Sequence, residues 1–308
     1  MPKNVHLPSR VLKLLISMGF FAAVTARRAT ARLLGRAPAP TCVVLYYHSI
    51  APECRKAFAQ QMDTVLQLTT VVDCEQEPTL LPGNRYSAIT FDDAFRDAIE
   101  NAVPELVSRR LHATIFVTLG VLGKLAEWWP LSDPERTREI ATVEQIRSLP
   151  RPWIGVGAHT VTHPHLSALE EPEARREIAE PKQQLESMVG YAIRSLSFPY
   201  GDFDEDVIRW SREAGYERAF TTQHQNAFEA PDTFLVGRVK AEPTDWDLEF
   251  RLKLLGGYLW LPQAIALKRR IRTAFSGNGM LGAPMAKNSA IREGKSSFDR
   301  RTTKTSTF

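Results

Sequence analysis

A chain of 308 residues with 44% hydrophobic and 24% charged residues has ordinary globular composition and enough length for one large core. Its net charge of +4 conceals a division: residues 1–40 hold seven Lys/Arg and no acid, residues 266–308 ten Lys/Arg and two acids, and residues 41–265 hold 22 basic and 33 acidic residues. An acidic central region excludes the basic folded face of a nucleic-acid enzyme, while basic ends suit an anionic membrane surface as a partner, or simple solubilisation.

The chain therefore divides into a basic and apolar N-terminal helix over 1–40, a catalytic domain over 41–265 and a basic tail over 266–308. Val11 to Val24 is apolar apart from Lys13, and Arg27, Arg28 and Arg32 follow. This run falls short of the ~20 residues that cross a bilayer, and no clear cleavage site follows it. An amphipathic interfacial helix is the first reading and an uncleaved anchor or signal the second. A cytoplasmic or membrane-associated location is favoured, with export on an uncleaved N-terminal anchor as the alternative. Cys42, Cys54 and Cys74 form an odd set without zinc-finger spacing, and nothing in them demands an oxidising compartment.

Thr41 to His48 reads as a buried strand, and Phe58, Met62, Val65 and Leu66 recur at helical spacing. Tyr86 to Phe91 is a strand that stops at Asp92 and Asp93. Phe95 to Arg110 is helical, with Pro104 as a kink point. Strands follow at Ala113 to Val117 and Trp153 to Gly157, with a short helix from Thr142 to Leu149 between them. Glu170 to Val189 is a charged amphipathic helix ending at Gly190. Ser195 to Phe198 is a strand, Asp204 to Ala214 a helix closed by Gly215, and Arg218 to Thr221 and Phe234 to Val239 are strands. From about Thr273 periodicity is lost, and the composition predicts disorder. Strands alternating with helices predict a parallel α/β sheet or barrel. His48, Asp92, Asp93, His159 and Tyr200 all fall just after strand ends, on the rim where barrel enzymes place their chemistry.

In His159-Thr-Val-Thr-His163, two imidazoles four residues apart share a face if the loop makes a helical turn. A surface pair is the plain alternative. Asp92 and Asp93 at a buried strand end need charge compensation, which a divalent cation supplies; a helix cap would account for one of them but not both. Two His and one carboxylate make the three-ligand set of catalytic zinc, and the second Asp suits a general base. A metal that polarises a carbonyl fits attack on an amide.

The run Thr90-Phe-Asp-Asp-Ala94 is similar to the first motif of the polysaccharide deacetylases, the NodB-homology or carbohydrate esterase 4 group. Gly157-Ala-His-Thr-Val-Thr-His-Pro-His-Leu166 resembles their second motif, and Phe198-Pro-Tyr-Gly201 their third. The similarity spans roughly Val43 to Trp260. It implies a distorted (β/α) barrel with fewer than eight complete units, one divalent metal, usually zinc, and N-deacetylation of a GlcNAc-containing glycan. Carried over, Asp92 matches the base, and Asp93, His159 and His163 match the metal ligands. Tyr200 matches the residue whose backbone N–H binds the oxyanion.

Three departures stand out. Ala94 replaces the Gly that usually ends the first motif. Ser197 replaces an Arg that orients the base, which makes Arg238 the candidate partner; with Tyr200 it is assigned to the substrate-binding side of the site. The late His that serves as general acid is missing, and His48 is its candidate replacement. Family members acting on poly-N-acetylglucosamine also open with a Tyr-His strand. Trp128, Trp129 and Trp246 are candidates for stacking on sugar rings, with packing as the alternative. Deacylation of another amide or of an O-acetyl ester, and glycan binding without turnover, are the competing functions.

Overall fold

The computed structural model describes residues 7–229, 233–265 and 267. The tail expected from 266 onward lies outside the described residues apart from Leu267. The chain begins with α1 (Leu7–Leu33), then β1 (Thr41–Tyr47), α2 (Arg55–Leu68), β2 (Thr70–Val71) and β3 (Arg85–Phe91). It continues through α3 (Arg96–Ser108), β4 (Ala113–Val117), α4 (Val143–Arg147), β5 (Ile154–Ala158), α5 (Glu171–Val189) and β6 (Ser195–Ser197). The last elements are α6 (Glu205–Glu213), β7 (Arg218–Phe220), β8 (Leu235–Val236), β9 (Arg238–Lys240) and α7 (Asp247–Leu254).

Every pairing between these strands is parallel, in the order β8-β7-β6-β5-β4-β3-β1-β9, with β2 beside β3. The two ends of that order are one segment. Leu235 pairs with Ala219 of β7, and three residues later Arg238 pairs with Val44 of β1. The chain thus bridges first and last strands and closes the sheet into a distorted barrel. Gly237 sits at the changeover, where a Cβ would meet the Gln223 carbonyl oxygen at 2.4 Å, so no larger residue fits.

Closure explains the apolar runs, because these strands are buried on both faces. On β1, Cys42 and Val44 point inward with Ala88, Phe116 and Phe220, while Val43, Leu45 and Tyr47 face the helices. Gly157 leaves the interior volume that Phe116 fills; its Cβ would lie 2.5 Å from that ring. Outside, Phe58, Met62 and Val65 of α2, Ala98, Ala102 and Leu106 of α3, and Ala174, Ile178 and Leu185 of α5 complete the main core. Pro104 stays within α3, and α4 starts with a capping box between Thr142 and Gln145.

The N-terminal helix is longer than its apolar run suggests. Ala22, Ala23, Ala26 and Ala29 are strong helix formers, so the helix continues beyond Val24 to a total of 27 residues. By length and composition it could cross a membrane, and a signal or an anchor would share those properties.

Candidate metal centre and active site

β3 delivers two carboxylates to the rim with different surroundings. Asp93, 1% exposed, places Oδ1 3.4 Å from Nε2 of His159 and 3.3 Å from Nε2 of His163. One ligand atom from each of these residues lies within 4.8 Å of the other two. Both Asp93 oxygens are buried without a hydrogen bond. Buried carboxylate oxygens rarely stay unpaired, and a cation among the three residues satisfies them. His159 is already oriented for this. Its Nδ1 donates to the Ser197 carbonyl at 2.7 Å, which leaves Nε2 as the free lone pair. The donor set therefore fits one divalent ion with a further position open.

The loops that carry these residues are bent into the left-handed region at Asp93 (φ 68°), Ala94 (59°), Thr160 (64°), His163 (63°) and Tyr200 (59°). Each such non-glycine residue costs roughly 1–2 kcal/mol and must be held by its surroundings. Ala94 accounts for the glycine expected there: its positive φ is one that glycine adopts without strain. For the His159–His163 loop the holding group is Glu177 of α5, which the sequence reading missed. Its carboxylate, 1% exposed, accepts from the Val161 and Thr162 amides at 2.8 and 2.9 Å and from Thr162 Oγ1 at 2.9 Å. The available signal was a charge on the buried stripe Ala174, Glu177, Ile178, Pro181 and Leu185.

Asp92 is gripped from below. Arg238 donates Nη1 to Oδ1 at 2.7 Å and Nη2 to Oδ2 at 2.8 Å, a bidentate pair. Nη2 also donates to Ser197 Oγ at 2.8 Å, so the residue found where the family has Arg is now an acceptor for the relocated guanidinium. Arg238 is 0% exposed and faces the rings of Tyr46, Phe116 and Phe220. It reaches no cleft, which corrects its placement on the substrate-binding side. Its role is confined to the carboxylate above it.

Above this floor is a cavity of about 450 Å³, lined among others by His48, Asp92, Trp128, Trp129, His163 and Tyr200. Trp128 stacks on His163 with centroids 4.9 Å apart, and Trp129 meets His48 edge-on at 5.2 Å. The Tyr200 ring, 48% exposed, stacks on His165 at 4.1 Å. His165 stays outside the ligand set. Lys240, at the end of β9, also lines the cavity and had not been singled out. Trp246 does not line it. It lies beside α1, under the Arg10 guanidinium at 4.3 Å, so its expected place at the sugar site is not borne out.

The electrostatics follow the burial. Burial raises the Asp92 carboxyl, but Arg238, through its charge and hydrogen bonds, and the nearby His159 and His48 together outweigh it and hold the group below the usual carboxylate range. Burial also opposes ionisation of Asp93, and the two histidines reverse it. The His163 ring is pushed down to about 4 by burial, and burial likewise lowers His48. Both rings therefore favour the neutral form that binds metals or exchanges protons.

A larger cavity of about 1040 Å³ lies at the opposite end of the barrel, against Glu75, His112 and Arg218. The Glu75 carboxyl is pushed up to about 7 by burial. His224 Nδ1 donates to the Tyr258 carbonyl oxygen at 3.3 Å, away from Asp93, His159 and His163.

A family model described as polysaccharide deacetylase matches residues 82–219, a stretch that contains Asp92, Asp93, His159, His163 and Tyr200. That stretch is similar to the polysaccharide deacetylase family. Among curated relatives, a Bacillus subtilis protein, YxkH, whose name places it with polysaccharide deacetylases, is 25% identical over 162 residues, 53% of either chain. A peptidoglycan-N-acetylglucosamine deacetylase of Bacillus cereus is 27% identical over 129 residues, 42% of this chain and 41% of the relative. The chain thus spans about half the length of the curated relatives it matches. In fold, it resembles the structure of IcaB from Ammonifex degensii, with a TM-score of 0.57, 23% identity, and coverage of 70% of this chain and 98% of the other. The likeness to the solved structure is one of fold, and within that fold Asp93, His159 and His163 could hold a metal ion beside the Arg238-bonded Asp92.

Proposed function

We propose that this protein is a metal-dependent hydrolase that removes N-acetyl groups from a GlcNAc-containing glycan and releases acetate. The observation that carries the reading is Asp93, His159 and His163 converging beside an Arg-held Asp92 at the floor of one cavity. Within it, residues 41–265 form the catalytic unit.

A divalent ion held by Asp93, His159 and His163, most fittingly Zn²⁺, would supply Lewis acidity toward the acetyl carbonyl and the attacking water. Asp92 takes the proton of the attacking water; two of its lone-pair directions are occupied by Arg238, and others remain for that proton. The carbonyl oxygen gathers charge as the water oxygen bonds to carbon, and the Tyr200 backbone N–H is the donor assigned to it. As the C–N bond breaks, His48, after taking up a proton from solvent, gives it to the departing amine; the proton held by Asp92 returns to solvent and acetate leaves. Trp128, Trp129 and the exposed Tyr200 ring offer flat apolar faces for a pyranose ring. Arg238 acts only through Asp92, as a positioning residue.

The test is metal analysis of purified protein with acetate release from GlcNAc oligomers, run beside acetylated xylan. Asp92→Asn is expected to keep the metal and lose at least ~10²-fold in rate. Full activity of that variant with metal bound would refute the assignment. Glycan binding without turnover, even after loading with zinc or cobalt, would favour a non-catalytic role.

A further inference from the structure

α1 docks on the domain through a mixed stripe, on which Leu14, Phe21 and Val24 are half-buried and the two buried residues are polar. A surface helix of a soluble protein buries its apolar stripe and turns its charges to water. Here the buried residues are Ser17 and Arg28. Arg28 donates to the carbonyls of Ala39 and Gly83 at 2.7 and 3.3 Å, and Trp260 Nε1 donates to Ser17 Oγ at 2.9 Å. On the same stripe, Arg10 donates to Glu249 at 2.8 Å and to the Thr244 carbonyl at 3.2 Å. The opposite side presents Val11, Leu12, Leu15 and Ile16, with Met18 at its edge, each between 38% and 58% exposed. At ~100° per residue, the outward half of the helix holds no charged side chain from Leu7 to Leu33. Lys13 and Arg27 flank it on one side and Arg32 on the other.

We propose that α1 lies in the plane of an anionic bilayer surface, its outward apolar half among the acyl chains and its mixed stripe carrying the barrel. Three observations favour lipid as the occupant. The flanking charges are all basic, and residues 1–40 contain no acid to repel anionic headgroups. Lys268, Arg269, Arg270 and Arg272 add further basic residues to the chain. At the Arg10 end, Trp246 and Leu248, 39% and 46% exposed, extend the apolar surface with a ring type that favours the interface. The anchors run from Arg10 to Arg28, along most of a helix about 40 Å long. A helix crossing the bilayer would forfeit all of them, since the barrel cannot follow it into hydrocarbon. α1 starts beside Thr244, past the end of β9, and reaches Gly83 before β3, so it runs along the barrel's flank. The cavity mouth then opens beside the bilayer.

The experiment floats full-length protein with vesicles of phosphatidylcholine alone or containing about 30% phosphatidylglycerol. The anionic vesicles are expected to bind at least roughly tenfold more protein. The bound protein is expected to be released by alkaline carbonate. Leu15→Glu with Ile16→Glu is expected to abolish binding with circular dichroism and metal content unchanged, because both side chains face solvent. Leu12→Gln, a milder variant, is expected to fall between. Absence of binding would overturn the proposal, as would retention through carbonate, which marks a spanning helix. So would a lipid-free dimer that the double variant dissociates, which marks a second copy on this face. Loss of the first ~30 residues from protein recovered after expression, marking a cleaved signal, would overturn it too.

Discussion

Replacing Arg238 by Met keeps most of the side-chain bulk and removes the cation beneath Asp92. All five guanidinium N–H groups are in use. Nε donates to the Thr221 carbonyl and Nη1 to Thr90 Oγ1, both at 3.2 Å, and the remaining three go to Asp92 and Ser197 at 2.7–2.8 Å. The two side chains of the pair are 0% and 5% exposed, so water cannot take over the lost bonds. Removing one partner of a buried pair costs about 3–5 kcal/mol, and the bonds also lost at the Thr221 carbonyl, Thr90 Oγ1 and Ser197 Oγ put the cost in the upper half of that range. For a domain of this size the melting temperature should fall by roughly 10–15 °C.

The pH dependence of that loss has a definite sign. In the native protein the Asp92 pKa lies below its unfolded value, so the pair stabilises above the unfolded pKa and loses that contribution as pH falls through the folded one. Without Arg238, burial dominates and the carboxyl pKa rises. A protonated Asp92 tolerates burial, so the deficit of the variant should shrink as pH falls from about 7 toward 5. The acid limb of acetate release should move to higher pH for the same reason. Urea denaturation across this range, paired with the pH profile of acetate release, measures both. A loss below about 1 kcal/mol with an unmoved acid limb would refute the assigned pairing. Arg238→Lys should fall between, because an ammonium cannot span both carboxylate oxygens.

Glu177→Gln places an amide against the Val161 and Thr162 N–H groups and should cost about 1.5–3 kcal/mol and ten- to a hundredfold in metal affinity, read by denaturation and by metal titration. Ala94→Gly relieves a φ of 59° but gives up a fully buried methyl, so its net effect should stay within about 1 kcal/mol; a larger loss would show that the turn is not strained. Glu75→Gln keeps the oxygen that accepts from Ser195 and Thr114. Its native carboxyl titrates at about 7, above its unfolded value, so native stability should fall as pH rises from about 4.5 through 7, and the variant should flatten that slope. Glu75 keeps part of its surface open to the lower cavity, so the expected span is about 1–2 kcal/mol rather than the full value of the shift.

What could be read in advance follows from where the information sits. The runs 41–48, 86–91 and 113–117 are apolar on both faces, so their ends, and the carboxylates just past them, stand out in the chain. The ligand residues are likewise local: His159 and His163 lie on one loop and Asp93 at one strand end. How the barrel closes was not legible in the residue pattern, because the partners of a strand are not written in it; Phe234 to Val239 reads as one strand, whereas the segment is shared between β7 and β1. Glu177 looked like one more charge on a charged helix until the loop it holds was in place. Trp246 was misplaced because its neighbour, Arg10, comes from the other end of the chain. The α1 amphipathicity predicted a helix with two faces but not which face would dock.

Arg238 shows why a motif can lose a residue and the site keep its chemistry. Inside a closed barrel, inward side chains from several strands meet in the same layer, so a carboxylate on β3 can receive a guanidinium from either β6 or β9. Position 197 and position 238 converge on Asp92 from different strands, and the 2.8 Å contact between Ser197 Oγ and Arg238 Nη2 marks the place where the two routes meet. A small residue at 197 is what makes room for the longer reach from β9. The aromatic faces of Tyr46, Phe116 and Phe220 then wall off the cation from water. The requirement is a buried, fully bonded cation under the base, and the strand that supplies it is secondary. His48 reaches the cavity from the end of β1 with its ring against Trp129 and Tyr46, the placement that the proposed proton donor would need in the absence of a late histidine.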